Sequence, residues 1–253
     1  MLKTRVIPCL LLHEGGLVKT EKFKNPKYVG DPMNAVRIYN EKEVDELIFL
    51  DIDASKQSRE PDYSMIEDLA TECFMPFAYG GGVTSLDQIQ RILKIGVEKV
   101  IINHAALNNS NLVKDASRHF GSSTIIVALD IRKDMLGNYK VFDHVRNKSL
   151  SLSPVDQALK MCAEGAGELF INNVDRDGTY AGFDWQILEQ INKKVTSPVI
   201  ACGGASGLKD FKDVVSKTKV SAVAAGSIFV YQGPHRAVLI SYPSQQELQQ
   251  LFH

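Results

Sequence analysis

Asp130 closes an apolar run, Ile125-Ile126-Val127-Ala128-Leu129, and is followed at once by Arg132 and Lys133. A carboxylate placed there can act as general acid or base once burial tunes its proton affinity; the plain alternative is an aspartate that caps a helix or braces a loop. Asp51 closes a second such run and the turn Asp175-Arg176-Asp177-Gly178-Thr179 follows a third, so several carboxylates are expected at one polar rim, with Asp51 equally readable as a strut. A glycine turn occurs twice, as Ala78-Tyr79-Gly80-Gly81-Gly82-Val83-Thr84-Ser85 and, degraded, as Ala201-Cys202-Gly203-Gly204-Ala205-Ser206-Gly207. Glycine lets the backbone approach an oxyanion, and the N–H groups opening the next helix carry partial positive charge. Gly82 with Asn103 and His104 is therefore expected to hold one phosphate, and Gly178, Gly203, Gly204, Gly226 and Ser227 a second. A ligand phosphorylated at both ends follows. His104 could also do no more than hydrogen-bond within its loop.

The elements that must position these residues are short β-branched runs alternating with longer amphipathic segments, the pattern of βαβ units and a parallel sheet. Strands are predicted at 5–11, 47–51, 76–79, 99–103, 124–130, 169–172, 198–201 and 221–225. Eight strands predict a closed barrel. The halves also superpose: 46–53 aligns with 168–175 at an offset of 122, and that offset places Gly81-Gly82 on Gly203-Gly204 and Leu86 on Leu208. A duplicated four-strand half-barrel accounts for this better than an open sheet does. The first strand aligns at a slightly different offset, which sets Leu11 opposite Asp130. Residues 13–32, rich in Gly and Lys, are expected to form an extended irregular loop overhanging the C-terminal mouth, a plausible lid. A helix is predicted at 244–251.

Side chains alternate along a strand, so Arg5 shares a face with Ile7, Cys9 and Leu11, Glu46 with Ile48 and Leu50, Lys99 with Ile101 and Asn103, and Glu168 with Phe170 and Asn172. If those faces point inward, two cations and two carboxylates meet at the bottom of the barrel. By pattern alone this reads as a structural plug, with a gate for a small neutral molecule as the other possibility.

The chain has 253 residues, 44% hydrophobic and 23% charged, with a formal net charge of −1. One barrel domain over 1–253 is the expectation, since such barrels commonly run to this length undivided. Near-neutral balance without a basic run argues against a nucleic-acid partner. No apolar stretch has membrane-spanning length, and Met1-Leu2-Lys3-Thr4 leads into a strand without a signal-peptide pattern, so a cytoplasmic protein is expected. Cys9, Cys73, Cys162 and Cys202 lie far apart with no CxxC, which reads as buried free thiols and no metal site.

Taken together, Arg5-Val6-Ile7-Pro8-Cys9-Leu10, Val18-Lys19, Gly30-Asp31-Pro32, Asp45-Glu46-Leu47, Phe49-Leu50-Asp51-Ile52, Gly80-Gly81-Gly82, Asn103, Asp130, Asp175-Arg176-Asp177-Gly178-Thr179 and Gly203-Gly204 resemble the HisF family, cyclase subunits of imidazole glycerol phosphate synthase. The resemblance runs from Met1 to about Val230. It implies a (β/α)8 barrel, without cofactor, that docks a HisH-like glutaminase on its N-terminal face. Ammonia would pass through the barrel to a bisphosphorylated ribulosyl aminoimidazole, giving imidazole glycerol phosphate and an aminoimidazole carboxamide ribotide. By the same resemblance Arg5, Glu46, Lys99 and Glu168 match the ammonia gate, which displaces the plug reading; Lys19 matches the lysine of the mobile first loop; and Gly82, Asn103, Asp177, Gly178 and Gly203 match substrate-binding positions. Asp130 matches one of two catalytic aspartates.

The departures lie at the reactive end. The family's first strand ends Cys-Leu-Asp, whereas here it reads Cys9-Leu10-Leu11; His104 replaces a small hydroxyl residue, and the tail after Pro234 diverges. A leucine transfers no proton. This combination resembles the second HisF-like copies of bacterial surface-polysaccharide clusters, in which a HisH-like glutaminase and a separate amidotransferase place an amidino group on an acetamido sugar. The alternative is the ordinary histidine-pathway cyclase, with Leu11 tolerated or compensated by a neighbour such as His13.

Overall fold

A computed structural model describes residues 4–252, so the expectation for the opening residues 1–3 lies outside it. β1 (Arg5–His13) runs into a hairpin, β2 (Gly16–Glu21) and β3 (Lys24–Gly30). β4 (Leu47–Asp51), β5 (Phe77–Gly80) and β6 (Lys99–Ile102) then alternate with helices, and β7 (Ile125–Lys133) turns back through β8 (Tyr139–Asp143) and β9 (Lys148–Ser149). β10 (Glu168–Asn173), β11 (Val199–Cys202) and β12 (Ala222–Ala225) follow, with a small tail hairpin, β13 (Tyr231–Gln232) and β14 (Ala237–Val238). Parallel pairing runs β1-β4-β5-β6-β7-β10-β11-β12, and β12 pairs back on β1 through Arg5↔Ala222 to Pro8↔Ala225. This is a closed (β/α)8 barrel.

Closure sorts the apolar residues into two populations. One set, including Val6, Leu47, Tyr79, Val127 and Phe211, fills the space between strands and helices; the other, including Ile7, Ile48, Ile101, Ile126, Phe170 and Ile200, fills the barrel interior. Strand alternation decides which residue goes where. Local signals set the helix ends: Ser85 Oγ caps Leu86–Ile95 by accepting from Gln88 N–H, and Gly96 stops that helix at φ 119°.

The repeat is visible in the register. Cys9 pairs with Ile48, and Ala128 with Phe170, where Ile48 and Phe170 are the residues that the offset relates. Two positions further on, Leu11 pairs with Leu50 and Asp130 with Asn172. Leu11 thus occupies the half-barrel position equivalent to Asp130. The helices Tyr63–Glu72 and Trp185–Asn192 obey the same relation.

Residues 13–32 are not the irregular loop that their composition suggests. β1 continues past Leu11 and pairs antiparallel with β2, Leu12 opposite Leu17 and His13 opposite Gly16. Buried Leu17, Val18 and Val29 give this ribbon a core-facing side. Both turns carry positive φ at their two central residues, Glu14 and Gly15, then Lys22 and Phe23, a geometry whose twist matches paired strands. Likewise β7 does not stop at Asp130 but pairs onward with β8 through Ile131↔Val141. The predicted C-terminal helix is present at Gln245–Phe252, its Leu248 buried. No helix among the described residues is long and apolar enough to cross a membrane.

Candidate functional site

At the N-terminal end of the barrel, the charged residues expected to face inward do meet. Arg5 Nη1 lies 2.6 Å from Glu46 Oε2 and its Nη2 2.6 Å from Glu168 Oε2; Lys99 Nζ lies 2.8 Å from Glu168 Oε1 and 3.4 Å from Glu46 Oε1. Each cation bridges both carboxylates, so a neutral ring of four closes. Desolvating four charges is tolerable only because each has two opposite partners. Burial pushes the Glu46 carboxyl above its ordinary value of 4.5, outweighing the pull of Arg5 and Lys99. Burial acts upward on Glu168 as well, but hydrogen bonds from Arg5 and Lys99 win and hold it below 4.5.

The two acids therefore respond oppositely to pH. Glu46, with a raised folded value, opposes stability while ionised, and that penalty fades as pH falls through its folded value towards 4.5. Glu168, with a lowered value, contributes stability that is complete above 4.5 and is lost as pH falls through its lower folded value. On acidification Glu46 is expected to take up its proton first, leaving the ring net positive while Glu168 is still ionised. Carboxyl ¹³C shifts of the two glutamates, followed against pH, check the order.

Above the ring the inward residues are apolar on every strand, from Ile7 and Ile48 to Ala128 and Ala224. The interior opens at the C-terminal end into a cavity of about 610 Å³ lined by Leu11, Leu50, Gly82, Asn103, His104, Asp130, His144 and Asn172 among others. Asp130 is 5% exposed, and its Oδ2 accepts from Asn103 Nδ2 at 2.8 Å and lies 3.2 Å from His144 Nδ1. His104 Nδ1 lies 3.0 Å from Oδ1 of the fully buried Asp143, which also accepts from the amides of Val145 and Arg146. Adjacent residues, Asn103-His104 and Asp143-His144, thereby interlock across the rim. Position 11 offers only a leucine. His13 does not line this cavity; its Nδ1 is 2.8 Å from Asp53 Oδ1, beside a separate small recess.

Asp51 is placed as a strut as well as a wall. Its Oδ1 accepts from the amides of Asp53 and Ala54, both at 3.0 Å, and Arg59 Nη2 approaches Oδ2 at 3.0 Å. Gly82, at φ 71°, comes within a side chain's width of the Arg59 carbonyl, and its N–H donates to Ser55 Oγ. Arg59, Lys56 and Thr84 line the same cavity wall, which makes that side suitable for an anion.

The second expected phosphate site lies under the hairpin. Lys19, 7% exposed, donates from Nζ to Asp177 Oδ1 at 2.7 Å, and Thr20 Oγ1 donates to Asp177 Oδ2 at 2.9 Å. The β2–β3 ribbon is thus latched onto the loop after β10, its Thr20 carbonyl against Gly178 and the Lys19 stem against Gly226. A basic cavity of about 450 Å³ there is lined by Lys19, Lys22, Lys24, Arg132, Gly178, Ser227 and Arg236. Gly203 and Gly204 are placed differently: Gly203 packs on the Asn173 carbonyl and Gly204 on that of Gly182, so their missing side chains admit close chain crossings.

Two mouth residues, His144 and Asn172, carried no assignment in the sequence. His144 depends on the β7–β8 return, which composition conceals. Asn172 was legible as the inward neighbour of Asp130 on the next strand.

Residues 5–235 match the family model for histidine biosynthesis proteins. The chain is 52% identical to the provisionally named imidazole glycerol phosphate synthase subunit hisF2 of Pseudomonas aeruginosa, over 98% of this chain and 99% of that one. The chain belongs to the HisF family. It is also 46% identical to a provisionally named HisF subunit of Leptospira interrogans over the full length of both, and 44% identical to a hisF3 of Vibrio vulnificus over 98% and 95%. The numbered copies among these relatives make it a HisF-like paralogue. In (β/α)8 barrels the active site lies at the C-terminal face, so the chemistry of this chain has to be argued from the residues at that mouth.

Proposed function

We propose that this HisF-like barrel is the synthase subunit of a glutamine amidotransferase complex that receives ammonia and delivers it. A HisH-like glutaminase docks on the N-terminal face, and ammonia enters through the Arg5–Glu46–Lys99–Glu168 ring. It rises through the apolar interior to the cavity holding Asp130, where a phosphorylated ligand sits between Gly82 and the hairpin. The acceptor belongs to amidination of a surface-polysaccharide sugar, completed at this mouth or by a third, amidotransferase protein. One observation carries the reading: Leu11 stands at the register position equivalent to Asp130 while all four ring residues are kept. The four ring residues are present, and at the reactive end a leucine, which transfers no proton, takes the place equivalent to Asp130.

The ordinary histidine-pathway cyclase is the second reading, favoured by Asp130 remaining buried against Asn103 and His144 in a cavity large enough for a bisphosphorylated ligand. Co-purification with the HisH-like glutaminase of the same genome, and glutamine hydrolysis measured with and without the barrel, test the proposal. Stimulated hydrolysis supports it. A glutaminase that neither binds nor responds contradicts it.

A further inference from the structure

Two histidines line the mouth cavity, each held at Nδ1 by an aspartate, and they differ at the other ring nitrogen. His104 Nδ1 lies 3.0 Å from Asp143 Oδ1, and its Nε2 lies 3.2 Å from Nδ2 of Asn108. An amide nitrogen only donates, so this Nε2 is an acceptor already in use. His144 Nδ1 lies 3.2 Å from Asp130 Oδ2, and its Nε2 has no hydrogen-bond partner among the described residues. Nor is that nitrogen sealed off. Among the described residues the buried side-chain atoms without a partner are Tyr79 Oη, Asn103 Oδ1, Asp143 Oδ2 and Asn172 Oδ1, so His144 Nε2 keeps accessible surface.

The partners fix which nitrogen carries the hydrogen. Asp130 Oδ2 also accepts from Asn103 Nδ2 at 2.8 Å, as an ionised carboxylate oxygen does. His144 Nδ1 is therefore the donor, and the neutral ring presents a lone pair at Nε2. The backbone under the ring is held too. Asp143, fully buried, accepts at Oδ1 from the amides of Val145 and Arg146 and so fixes the turn that carries His144. Of the side chain types lining this cavity, histidine is the one that ordinarily changes protonation near neutral pH, and His104 is occupied.

We propose that His144 is the proton-transferring group of this mouth, with Asp130 acting through it as a positioning residue. Nε2 takes a proton from a phosphorylated ligand in the cavity while Nδ1–H stays on Asp130 Oδ2. The carboxylate stabilises the imidazolium, which then returns the proton from Nε2 to the product. The proposal deepens the proposed function, since it rests on a reaction being completed at this mouth.

The test uses the intact barrel and nitrobenzisoxazole, a flat apolar probe suited to the Leu11, Leu50 and Phe170 lining. A base removes its one carbon-bound ring proton beside nitrogen, the N–O bond breaks, and a coloured nitrile phenolate forms. Saturable ring opening is expected, with kcat about 100-fold lower in His144→Gln and KM little changed. Nitrogen-15 shifts of the neutral His144 ring are expected to show the hydrogen on Nδ1 in the wild type and a mixture of tautomers in Asp130→Ala, together with a lower kcat. A merely structural Asp130 would move neither. Circular dichroism establishes that each variant is folded; if Asp130→Ala is not, Asp130→Asn, which keeps an acceptor without the charge, takes its place with kcat as the readout. Ring opening no faster than with an equal concentration of free imidazole, an unchanged kcat in folded His144→Gln, or a wild-type ring carrying its hydrogen on Nε2 would each overturn the proposal. The probe needs no ammonia and no glutaminase, so these outcomes are independent of the delivery role.

Discussion

Arg5→Met is expected to destabilise the barrel by about 3–5 kcal/mol, the cost of stripping a partner from a buried ion pair. Arg5 holds two carboxylates at once, each at 2.6 Å, and its side chain is 26% exposed, so most of the interaction is sheltered from solvent. In the variant, Lys99 is left to face both Glu46 and Glu168, and the ring passes from neutral to net negative. Part of the loss is then recovered by protonation: Glu46, already raised by burial, gains a proton more easily once Arg5 is gone. The variant should accordingly be more stable at pH 5 than at pH 8, the reverse of ordinary acid sensitivity. Urea unfolding at the two pH values checks both statements. A loss below about 1 kcal/mol would mean that the ring behaves as exposed surface pairs do. In the proposed complex with a glutaminase, the same variant is expected to lose glutamine-dependent nitrogen transfer while keeping the reaction driven by added ammonia.

The second large effect concerns the hairpin. Asp177→Ala removes both acceptors that hold β2, leaving the Lys19 ammonium buried without a counter-charge and the Thr20 hydroxyl without a partner. A lone buried ammonium is not tolerated at a cost of several kcal/mol when a short movement returns it to water. Opening is expected to be local, because the ribbon is held by β1, by buried Leu17, Val18 and Val29, by the Lys22 N–H bond to the Asp177 carbonyl and by this latch, and only the latch is removed. Amide exchange over residues 16–30 should accelerate by two orders of magnitude or more, with global unfolding little changed. Asp177→Asn, which keeps the shape and one acceptor, should lie between. If exchange in Asp177→Ala equals the wild type, the latch does not hold the hairpin.

Much of this is legible in the sequence. The ring follows from period-2 alternation on four strands, and the equivalence of Leu11 with Asp130 follows from an internal repeat that the register reproduces residue by residue. What stayed hidden is long-range pairing. Residues 13–32 read as a loop because they are rich in Gly and Lys, although Glu14-Gly15 is a serviceable hairpin turn; Phe23 at φ 62° is not a residue that announces one. His144 reaches Asp130 only because β7 overshoots its barrel span and folds back, a consequence of β8 pairing that no local pattern near Asp130 discloses. The glycines illustrate the limit of motif reasoning: Gly82, Gly178, Gly203 and Gly204 all sit where another chain segment passes close by, and Gly82 and Gly178 line cavities as well.

The delivery role turns on position 11. The decisive measurement is ammonia-dependent turnover of the bisphosphorylated ribulosyl aminoimidazole by the purified barrel, wild type beside Leu11→Asp. General acid–base groups contribute about 100- to 10,000-fold. The wild type is expected to be at least about 100-fold slower than Leu11→Asp, with Asp130→Asn abolishing the restored activity. A wild type that turns over as fast as Leu11→Asp, and falls silent on Asp130→Asn alone, would make this chain an ordinary cyclase and contradict the delivery role.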